Sequence, residues 1–476
     1  MTLPPNKTKI VCTIGPASNS PEMMEKMIHA GMNVGRLNFS YGDFAGHKEV
    51  IKNLRAAARA VGRRVAIMAD LPGPKIRIGQ LKQEPIELKP GALFTLTTQD
   101  TVGDSTRVSV TFPGLPKAVR PGDTLFLNDG LIQLEVVKTE DSEVQCRVWV
   151  GGELRSRKGL NFPGIDLGIR AFTERDFECM KFALDQGVDA ISQSFVETAA
   201  DITTVRDAAS DLGYNPFVIA KIERAGALDH IDDILKAADG IMIARGDLGV
   251  EIPIEQIALV QKRLMRKANV LGKPVITATQ MLESMTDHRR PTRAEATDVA
   301  NAILDGTDCV MLSAESAMGK YPLEAVTMLV KIAAAIEPQR PGYDVRETLK
   351  ASGRGSPVHL SDLIALSVET TLDHIAPAAV IVPTRSGASA RSITRFRLPV
   401  WIVAVSSQET TCQRLQFSYG VCPVHEPDHP DDWRLYVRNW LQSNGVSGSL
   451  AVLTEGPSSR HPDANHRMEI IDLGRP

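Results

Sequence analysis

The strongest constraint on the fold is an alternation of short apolar runs with amphipathic stretches, which occurs in two blocks. The first block spans residues 9–70, and its strands read KIVCTI, NVGRLNF and RVAIMAD. The second begins near residue 190, with the strands AISQSF, FVIAKIE, GIMIARGD, PVITATQ and CVMLSAES. Strands that are apolar throughout are typical of a parallel sheet covered on both faces. Three units and five units make eight, so the sequence predicts an α/β fold, a (β/α)8 TIM barrel, with a doubly wound sheet as the alternative.

The stretch between the two blocks has a different periodicity. It contains alternating runs such as ALFTLTT, DTLFLNDG and LIQLEVV, separated by Gly, Asp and Asn turns, which predicts an inserted β-barrel-like domain. Because this insertion follows the third barrel strand, we expect it to close over the site as a lid. Another strand-helix alternation comes near the C-terminus. The predicted domains are a discontinuous barrel (1–70 and 171–345), a β lid (71–170) and a C-terminal α/β domain (346–476).

Composition excludes several classes of protein. The net charge of -3 and the pI near 6.4 give no electrostatic support for a nucleic-acid surface. The six cysteines lack CxxC spacing, which argues against a zinc knuckle or a disulfide framework and favours reduced thiols. No segment reaches the ~18 apolar residues that a membrane span needs. We therefore expect a cytoplasmic protein without nucleic-acid or membrane partners.

Polar side chains stand where the predicted barrel strands end, which is the face that carries the chemistry of such barrels. They are Arg36, Asn38, Ser40, Asp70, Lys221, Glu223, Arg245, Asp247, Thr279 and Glu315. In the stretch AKIE, Lys221 and Glu223 are two residues apart and therefore share one strand face. From these residues alone, the couple is either a structural ion pair or a catalytic unit.

The stretch ARGDLGVEIP places Gly246 and Gly249 around Asp247, at the expected start of a helical turn. Free N–H groups at a helix start favour an anion, and glycines allow a ligand to approach the backbone. Asp247 and Glu223 together offer the hard oxygen ligands that Mg²⁺ prefers. The alternative for this stretch is a solvated turn.

Two further stretches add cations and hydroxyls to the same predicted face. Arg36, Asn38 and Ser40 share one strand face, where the cation can bind a phosphoryl group and the oxygens can hold an ion, although a half-polar strand is the alternative. Thr279 ends the seventh barrel strand, and threonine is common in strands for structural reasons alone. Together the positions indicate metal-assisted phosphoryl or enolate chemistry.

Several long stretches carry a resemblance to a known family. They are TIGPAS, RLNFSYG, RKGLNFPG, KIERAGALDHIDDI, MIARGDLGVEIP, TATQMLESM and PTRAEATDVANAILDGTDCVMLSAESAMGKYPLEAV. Over nearly its whole length the chain resembles the pyruvate kinases. The resemblance implies a barrel, a β lid, a C-terminal effector domain and a homotetramer. It also implies the final step of glycolysis, Mg²⁺-dependent phosphoryl transfer from phosphoenolpyruvate to ADP giving ATP and pyruvate, with Mn²⁺ as an alternative ion.

The resemblance further assigns roles by motif position. Glu223 and Asp247 correspond to the Mg²⁺ carboxylates, and Lys221 to the cation that neutralises the transferring phosphoryl and enolate oxygens. Thr279 is our preferred position for the relay that protonates the enolate. The implied catalytic residues are Lys221, Arg36 and Thr279; the implied substrate-binding residues are Arg36, Lys221, Gly246, Asp247 and Thr279; the implied nucleotide-binding residues are Arg77, Lys158 and Asn38.

One position departs from the pattern of the K⁺-requiring members of the family. Those members hold K⁺ with an Asn, a Ser, an Asp and the carbonyl of a following Thr, matched here by Asn38, Ser40, Asp70 and Leu71. Lys75 stands where they carry Glu. An ammonium and a carboxylate at about 4 Å interact by ~4 kcal/mol at an effective dielectric near 20. We therefore expect Lys75 to pair with Asp70 and to make K⁺ unnecessary; the alternative is a solvated hinge residue.

The C-terminal domain contains a second candidate site. The stretch PTRSGASAR joins a strand to a helix, and it resembles the family's effector-phosphate loop. A capped helix start is the alternative. The late loop LTEGPSSRHP lacks the Trp and Arg of bisphosphate-regulated relatives, and Glu455 would repel a second phosphate, so we expect a sugar or nucleotide monophosphate effector. The predicted phosphate ligands are Thr384, Arg385, Ser386, Gly387 and Ser389.

Two other functions compete with this interpretation. A non-catalytic effector-binding homologue would keep the fold without the reaction. A metal-dependent aldolase would also use an enolate of pyruvate, but it would need neither the nucleotide cations nor the lid. Product analysis with ADP separates these possibilities.

Overall fold

The computed structural model describes residues 3–340, 345, 359–428, 430–457 and 465–474. Residues 346–358, with which the C-terminal domain is predicted to begin, lie outside this described part. So do residues 458–462 of the late loop. The domain boundaries therefore remain predictions, whereas the elements on either side of them can be compared with the sequence pattern.

The first block of the predicted barrel forms as three strands with two intervening helices. Side chains cap both helices: Ser20 accepts a hydrogen bond from the N–H of Met23, and Asp43 accepts one from the N–H of Gly46. The elements are β1 (Lys9–Thr13), α1 (Pro21–Ala30), β2 (Met32–Asn38), α2 (Phe44–Val61) and β3 (Ala66–Asp70).

The insertion folds around its own hydrophobic core, which is centred on Phe94. Its main sheet has the strand order β11-β7-β8-β9-β5-β6, and β4 pairs separately with β10. Arg77 and Ile78 bridge to Gly159 and Val110, beside the two edge strands of the sheet. The elements are β4 (Ile86–Leu88), β5 (Leu93–Thr97), β6 (Arg107–Ser109), α3 (Leu115–Ala118), β7 (Thr124–Leu127), β8 (Ile132–Thr139), β9 (Glu143–Val150), β10 (Gly152–Leu154) and β11 (Leu160–Asn161).

The second block completes the barrel. Its elements are α4 (Glu174–Asp185), β12 (Ala190–Gln193), α5 (Ala199–Asp211), β13 (Phe217–Ile222), α6 (Ile231–Ala237), β14 (Gly240–Ala244), α7 (Arg245–Glu251), α8 (Ile257–Val270), β15 (Val275–Ala278), α9 (Arg293–Leu304), β16 (Cys309–Leu312), α10 (Ala314–Ala317) and α11 (Pro322–Ile336). The eight parallel strands close in the order β1-β16-β15-β14-β13-β12-β3-β2. This closure confirms the predicted TIM barrel and excludes the doubly wound sheet.

The C-terminal domain is a five-stranded sheet with the order β19-β18-β17-β20-β21, in which the edge strand β21 is antiparallel. Its elements are α12 (Leu360–Leu372), β17 (Ala379–Pro383), α13 (Ala388–Thr394), β18 (Trp401–Ser406), α14 (Glu409–Arg414), β19 (Val421–His425), α15 (Trp433–Ser443), β20 (Leu450–Glu455) and β21 (Arg467–Asp472). The predicted α/β class of this domain is confirmed. None of the helices in the described part of the chain is both long and apolar enough to cross a membrane.

The C-terminal domain packs against the end of the barrel where the strands begin. Arg397 forms a buried ion pair with Asp308, just before β16. Phe417 stacks on Phe217, the first residue of β13, with ring centroids 5.6 Å apart. The opposite end, where the barrel strands finish, therefore remains available for the lid and the candidate site.

Candidate active site

A cleft of about 120 Å³ opens where the barrel strands end. It brings together side chains from both blocks of the barrel and from the segment that leads into the lid. The predicted residues that line it are Arg36, Asn38, Ser40, Asp70, Lys75, Arg77, Lys221, Glu223, Asp247 and Thr279. Arg36 and Thr279 line the same cleft although they are 243 residues apart in the sequence (279 minus 36). This is expected of a barrel, because all its parallel strands end at one mouth.

Lys221 is the best-connected cation of the cleft. Its Nζ lies 2.9 Å from Glu223 Oε1 and 3.4 Å from Asp70 Oδ1. The same ammonium donates a hydrogen bond of 2.7 Å to Ser194 Oγ. Burial by itself would lower the pKa of Lys221, but the charges of Asp70 and Glu223 outweigh it and raise the pKa. The lysine is therefore held in its charged form.

Asp70 pairs with two of the cations of the cleft, Arg36 and Lys221. Arg36 donates two hydrogen bonds to Asp70 Oδ2, one of them from Nε at 2.9 Å, and its Nη1 donates to Thr13 Oγ1 at 2.8 Å. Burial would raise the pKa of Asp70, but Lys221 and Arg36 lower it below its usual value. The carboxylate is thus ionised and fixes the position of both cations.

Lys75 lies in the cleft, but the partner predicted for it is wrong. Its Nζ is 3.8 Å from Asp247 Oδ1, on the first turn of α7, whereas Asp70 is paired with Arg36 and Lys221. The reason is geometric, because Asp70 ends β3 inside the barrel mouth, and the turn at residues 71–74, which we call the hinge of the lid, carries Lys75 across toward α7. The ammonium is therefore in the cleft without being tied to the aspartate that precedes it.

The remaining residues of the predicted monovalent-cation site occupy different environments. Asn38 Oδ1 accepts a hydrogen bond from the N–H of Ser40, and both residues line the cleft. Leu71 is buried and does not line the cleft. Its carbonyl accepts a hydrogen bond of 2.6 Å from Ser194 Oγ. The carbonyl predicted to face an ion thus has a protein donor.

Glu223 and Asp247 are the carboxylates that could hold a divalent metal. Burial raises the pKa of Glu223; Lys221 opposes this rise, and the nearby charge of Asp247 adds to it. Within the described ranges, no group of three or more His, Cys, Asp or Glu side chains could hold a metal ion. Mg²⁺ is commonly bound through one or two carboxylates, with substrate and water supplying the other ligands, so this pair fits it.

Thr279 and Gly246 contact each other at the ends of β15 and β14. The N–H of Gly246 donates to Thr279 Oγ1 at 2.7 Å, and the hydroxyl donates to the carbonyl of Ala278 at 2.6 Å. Thr279 has a φ of 71°, a conformation that is strained for a β-branched residue and typical of functional positions. As predicted, α7 begins beside Asp247, but Gly246 and Thr279, two of the predicted substrate-binding residues, are hydrogen-bonded to one another here.

The lid contributes Arg77 to the cleft. Its Nη1 donates a hydrogen bond of 3.0 Å to the carbonyl of Arg157. Lys158 follows Arg157 in the sequence and does not line the cleft. Its carbonyl accepts a hydrogen bond from the N–H of Ile78. A Cβ placed on Gly130, in the turn between β7 and β8, would be 3.3 Å from Val250 of α7, so the lid reaches the barrel beside Asp247.

Some residues of the cleft, among them Ser194 and Phe195, were not predicted. Two predicted strand-end residues, Arg245 and Glu315, do not line the cleft, and Arg245 instead pairs with Asp298. Ser194 and Phe195 follow β12 directly and line the cleft, and the N–H of Phe195 donates to Glu223 Oε2 at 2.8 Å. The strand-end rule that identified the other residues would also have found Ser194. Glu315 instead is buried below a loop, where it accepts hydrogen bonds from the N–H groups of Leu282 and Ser313.

The candidate phosphate loop of the C-terminal domain is a turn that opens into α13. Gly387 caps this helix with a φ of 81°, and its N–H donates to Thr384 Oγ1 at 3.0 Å. The side chains of Arg385, Ser386 and Ser389 are exposed to solvent. The turn thus has the predicted form, with its hydroxyls accessible.

The charge of Glu455, which we expected to repel a second phosphate, is countered by a neighbouring cation. It accepts a hydrogen bond of 2.8 Å from Trp433 Nε1, and it forms an ion pair with Arg467. Because its charge is countered by Arg467, the carboxylate is a weaker barrier to an anion than the sequence suggested.

Comparisons with known proteins agree with this architecture. Residues 5–326 match the family model described as pyruvate kinase, barrel domain, and residues 362–471 match pyruvate kinase, alpha/beta domain. A pyruvate kinase of Thermococcus litoralis is 50% identical over 89% of each chain. One from Geobacillus stearothermophilus is 45% identical over 98% of this chain and 80% of its own. The crystal structure of a pyruvate kinase from Cryptosporidium parvum superposes with a TM-score of 0.90 at 36% identity, covering 98% of this chain and 96% of its own. The chain therefore belongs to the pyruvate kinase family.

Proposed function

We propose that this chain is a Mg²⁺-dependent pyruvate kinase that needs no K⁺ and is activated by a phosphorylated metabolite. As a phosphotransferase of this family, it moves a phosphoryl group from phosphoenolpyruvate to ADP. The observation that carries the K⁺ independence is the presence of an ammonium in the cleft, because Lys75 lines it and its Nζ lies 3.8 Å from Asp247 Oδ1.

Glu223 and Asp247 would hold the Mg²⁺. When bound, the ion supplies positive charge to the oxygens of the substrate. The support for this assignment is a pair of mutually interacting carboxylates beside Lys221, with the N–H of Phe195 holding the second oxygen of Glu223. Mn²⁺ is an alternative ion for the same oxygen ligands.

Phosphoryl transfer depends mostly on positioning and on neutralising charge, and the cations of the cleft supply both. In our proposal, Lys221 neutralises the transferring phosphoryl and enolate oxygens, and Arg36 binds the phosphoryl group. Both remain in place because Asp70 accepts hydrogen bonds from Arg36 and forms an ion pair with Lys221.

The substrate carboxylate would bind the N–H groups of Gly246 and Asp247 together with the Thr279 hydroxyl. To do so it would replace the hydrogen bond that now joins Gly246 to Thr279. Thr279 then lies where a relay could protonate the enolate. A Thr279→Ala variant that keeps normal pyruvate enolisation while transfer falls would remove that role.

The nucleotide phosphates would bind Arg77, Lys158 and Asn38 as the lid closes. Arg77 and Asn38 line the cleft from the lid segment and from the barrel. Lys158 would join them through a movement of the lid, since it lies one residue from the strand bridge between Arg77 and Gly159.

Lys75 would take the place of the monovalent cation. Its ammonium brings one positive charge to the side of the cleft that carries Asp247, so the charge of an added K⁺ is unnecessary there. Asn38, Ser40, Asp70 and Leu71, which correspond to the ion ligands of K⁺-requiring relatives, would then serve as structural partners of the cleft.

The C-terminal loop would bind the activating phosphate through Thr384, Arg385, Ser386, Gly387 and Ser389. Exposed hydroxyls and a positively charged Arg385 at the start of α13 support a sugar or nucleotide monophosphate. We further propose that the protein forms a homotetramer. We also propose that it acts in the cytoplasm, and six cysteines that are all unpaired agree with this location.

The test is pyruvate formation from phosphoenolpyruvate and ADP, in buffer free of K⁺ and NH₄⁺ and again with KCl at matched ionic strength. We expect similar rates in the two buffers, loss of activity with EDTA, and recovery on adding Mg²⁺. The Lys75→Glu variant should become K⁺-dependent, whereas Lys82→Glu, which changes an exposed lysine of the lid, should not.

Strong K⁺ activation of the parent enzyme would contradict the proposed role of Lys75 while leaving the reaction intact. Absence of pyruvate in both buffers would favour the non-catalytic homologue. Pyruvate released together with inorganic phosphate instead of ATP would mean that water accepts the phosphoryl group, and it would contradict transfer to ADP.

A further inference from the structure

We propose that Ser194 is a positioning residue for Lys221 and that it connects this lysine to the hinge of the lid. Ser194 follows β12, and its side chain lies between the ammonium of Lys221 and the carbonyl of Leu71. The inference rests on the role proposed above for Lys221. Ser194 itself is not assigned any contact with substrate.

The hydrogen bonds of Ser194 have only one consistent direction. A hydroxyl carries one hydrogen, and the carbonyl of Leu71 can only accept it, at 2.6 Å. Toward Lys221, whose ammonium can only donate, Ser194 Oγ therefore acts as the acceptor, at 2.7 Å. Ser194 is 1% exposed, so water does not compete for either bond.

These bonds fix the orientation of the ammonium. Of the contacts made by Lys221 Nζ, those to Ser194 Oγ and Glu223 Oε1 are short, at 2.7 and 2.9 Å, and that to Asp70 Oδ1 is 3.4 Å. Without the Ser194 hydroxyl, a single short bond would remain, and the ammonium could rotate about it. Because phosphoryl transfer relies on charges held in place before the reaction, this freedom should slow the chemical step.

The same hydroxyl is attached to the hinge. Leu71 is the first residue after β3, and Gly73 comes two residues later with a φ of 64°. A Cβ on Gly73 would lie 3.0 Å from Ser194 Cβ, so the hinge turn packs directly on this serine. The N–H of Gly73 is held by Asp176 Oδ1 at 2.9 Å, at the start of α4 where the chain returns from the lid. Movement of the hinge can therefore reach Lys221 through Ser194.

The main experiment compares Ser194→Ala with the parent enzyme in the pyruvate assay with saturating Mg²⁺. We expect kcat to fall by about 10-fold to 100-fold, with the KM values for phosphoenolpyruvate and ADP changing by less than about threefold, because orientation rather than binding is lost. Ser194→Thr keeps the hydroxyl and should recover most of kcat.

The matched control is Ser192→Ala. Ser192 lies in β12, two residues before Ser194, and is fully buried, and its Oγ has no hydrogen-bond partner among the described residues. Its removal should leave kcat unchanged. Thermal unfolding of each variant monitors the fold, so that a loss of kcat can be separated from a loss of folded protein.

A further variant, Lys221→Gln, separates this inference from the function on which it rests. If Lys221→Gln remained active, the proposed role of the lysine would fail. If that variant were inactive while Ser194→Ala kept kcat within about twofold of the parent, the role of Ser194 would be overturned. Equal losses in Ser194→Ala and Ser192→Ala would overturn it as well.

Discussion

The cleft at the barrel mouth and the loop before α13 are built alike but held differently. Each contains a short helix, α7 or α13, that follows a parallel strand. In the cleft, buried charges are bonded to one another, as Arg36 and Lys221 are to Asp70. In the loop, the Thr384 hydroxyl accepts a hydrogen bond from the backbone N–H of Gly387, and Ser386 is exposed to solvent. The comparison suggests that the cleft is organised before substrate binds, whereas the loop can adapt to a ligand that binds reversibly.

The largest effect should come from breaking the charge network of the cleft with Asp70→Asn. The variant leaves Arg36 and Lys221 close together with less opposing charge. We expect kcat to fall by about 10²-fold to 10³-fold, and the free energy of unfolding by ~3 kcal/mol. A coupled assay and denaturant unfolding measure the two effects. Asp189→Asn, which weakens an ion pair with Arg55 at the opposite end of the barrel, should lower stability while keeping kcat.

The next largest effect concerns the connection between the two regions. Arg397→Met would leave Asp308 buried without its ion partner, and we expect the free energy of unfolding to fall by about 3–5 kcal/mol. The interdomain pair of Arg64 and Glu409, which is more exposed than the pair of Arg397 and Asp308, provides the control, since Arg64→Gln should cost less than ~1 kcal/mol. Denaturant unfolding measures both variants. If the free energy of unfolding fell equally in the two, burial would not determine how much an ion pair contributes to stability.

A smaller effect is expected in the loop itself. Gly387→Ala places a Cβ at 2.7 Å from Arg391 Nη1 in a backbone with a φ of 81°, which should cost about 1–2 kcal/mol and disturb the phosphate loop. Stabilisation of the parent by ribose 5-phosphate, glucose 6-phosphate or AMP in a thermal-shift titration should be lost, while the unactivated kcat stays constant. Gly213→Ala is the control, because Gly213 has the same φ but no atom within 4 Å of an added Cβ. This variant therefore introduces the backbone strain without the steric contact.

In the same titration, fructose 1,6-bisphosphate should stabilise the parent less than the monophosphates do. The opposite order would contradict the expected class of effector. It would also be consistent with the finding that Arg467 already balances the charge of Glu455.

The smallest effect should follow Ser386→Ala. One exposed hydroxyl contributes about 0.5–1.5 kcal/mol to binding a phosphate, so we expect the apparent Kd of a monophosphate effector to rise by roughly 2-fold to 13-fold. Basal activity should not change. If the Kd stayed the same, the exposed hydroxyl would not be a phosphate ligand, and the loop would be only a capped helix start.

The sequence identified most residues of the cleft because parallel barrel strands all finish at one end. Lys221, Glu223 and Asp247 were found in this way without knowledge of any distance. The same rule should have included Ser194, and it included Glu315, which supports a loop instead. Position along a strand therefore predicts which end of the barrel a residue reaches, and not whether its side chain faces the cleft.

Partners were harder to predict than positions. Lys75 was expected to contact Asp70, which is close in sequence, yet it contacts Asp247, which is 172 residues away (247 minus 75). Glu455 was expected to be an unopposed charge, yet it pairs with Arg467 across two antiparallel strands. An ion pair depends on distances of a few ångströms between side chains, and those distances depend on turns that the local sequence does not specify.

What the sequence by itself determined is the order of strands and helices, the class of each domain and the end of the barrel that carries the chemistry. These follow from the periodicity of apolar residues, which is a local property of the chain. Only the tertiary structure decided which charges neutralise each other, that Gly246 and Thr279 bond to one another, and that Ser194 joins Lys221 to the lid hinge. Such contacts arise between strands far apart in sequence, because closing the barrel and crossing the hinge fix their separation.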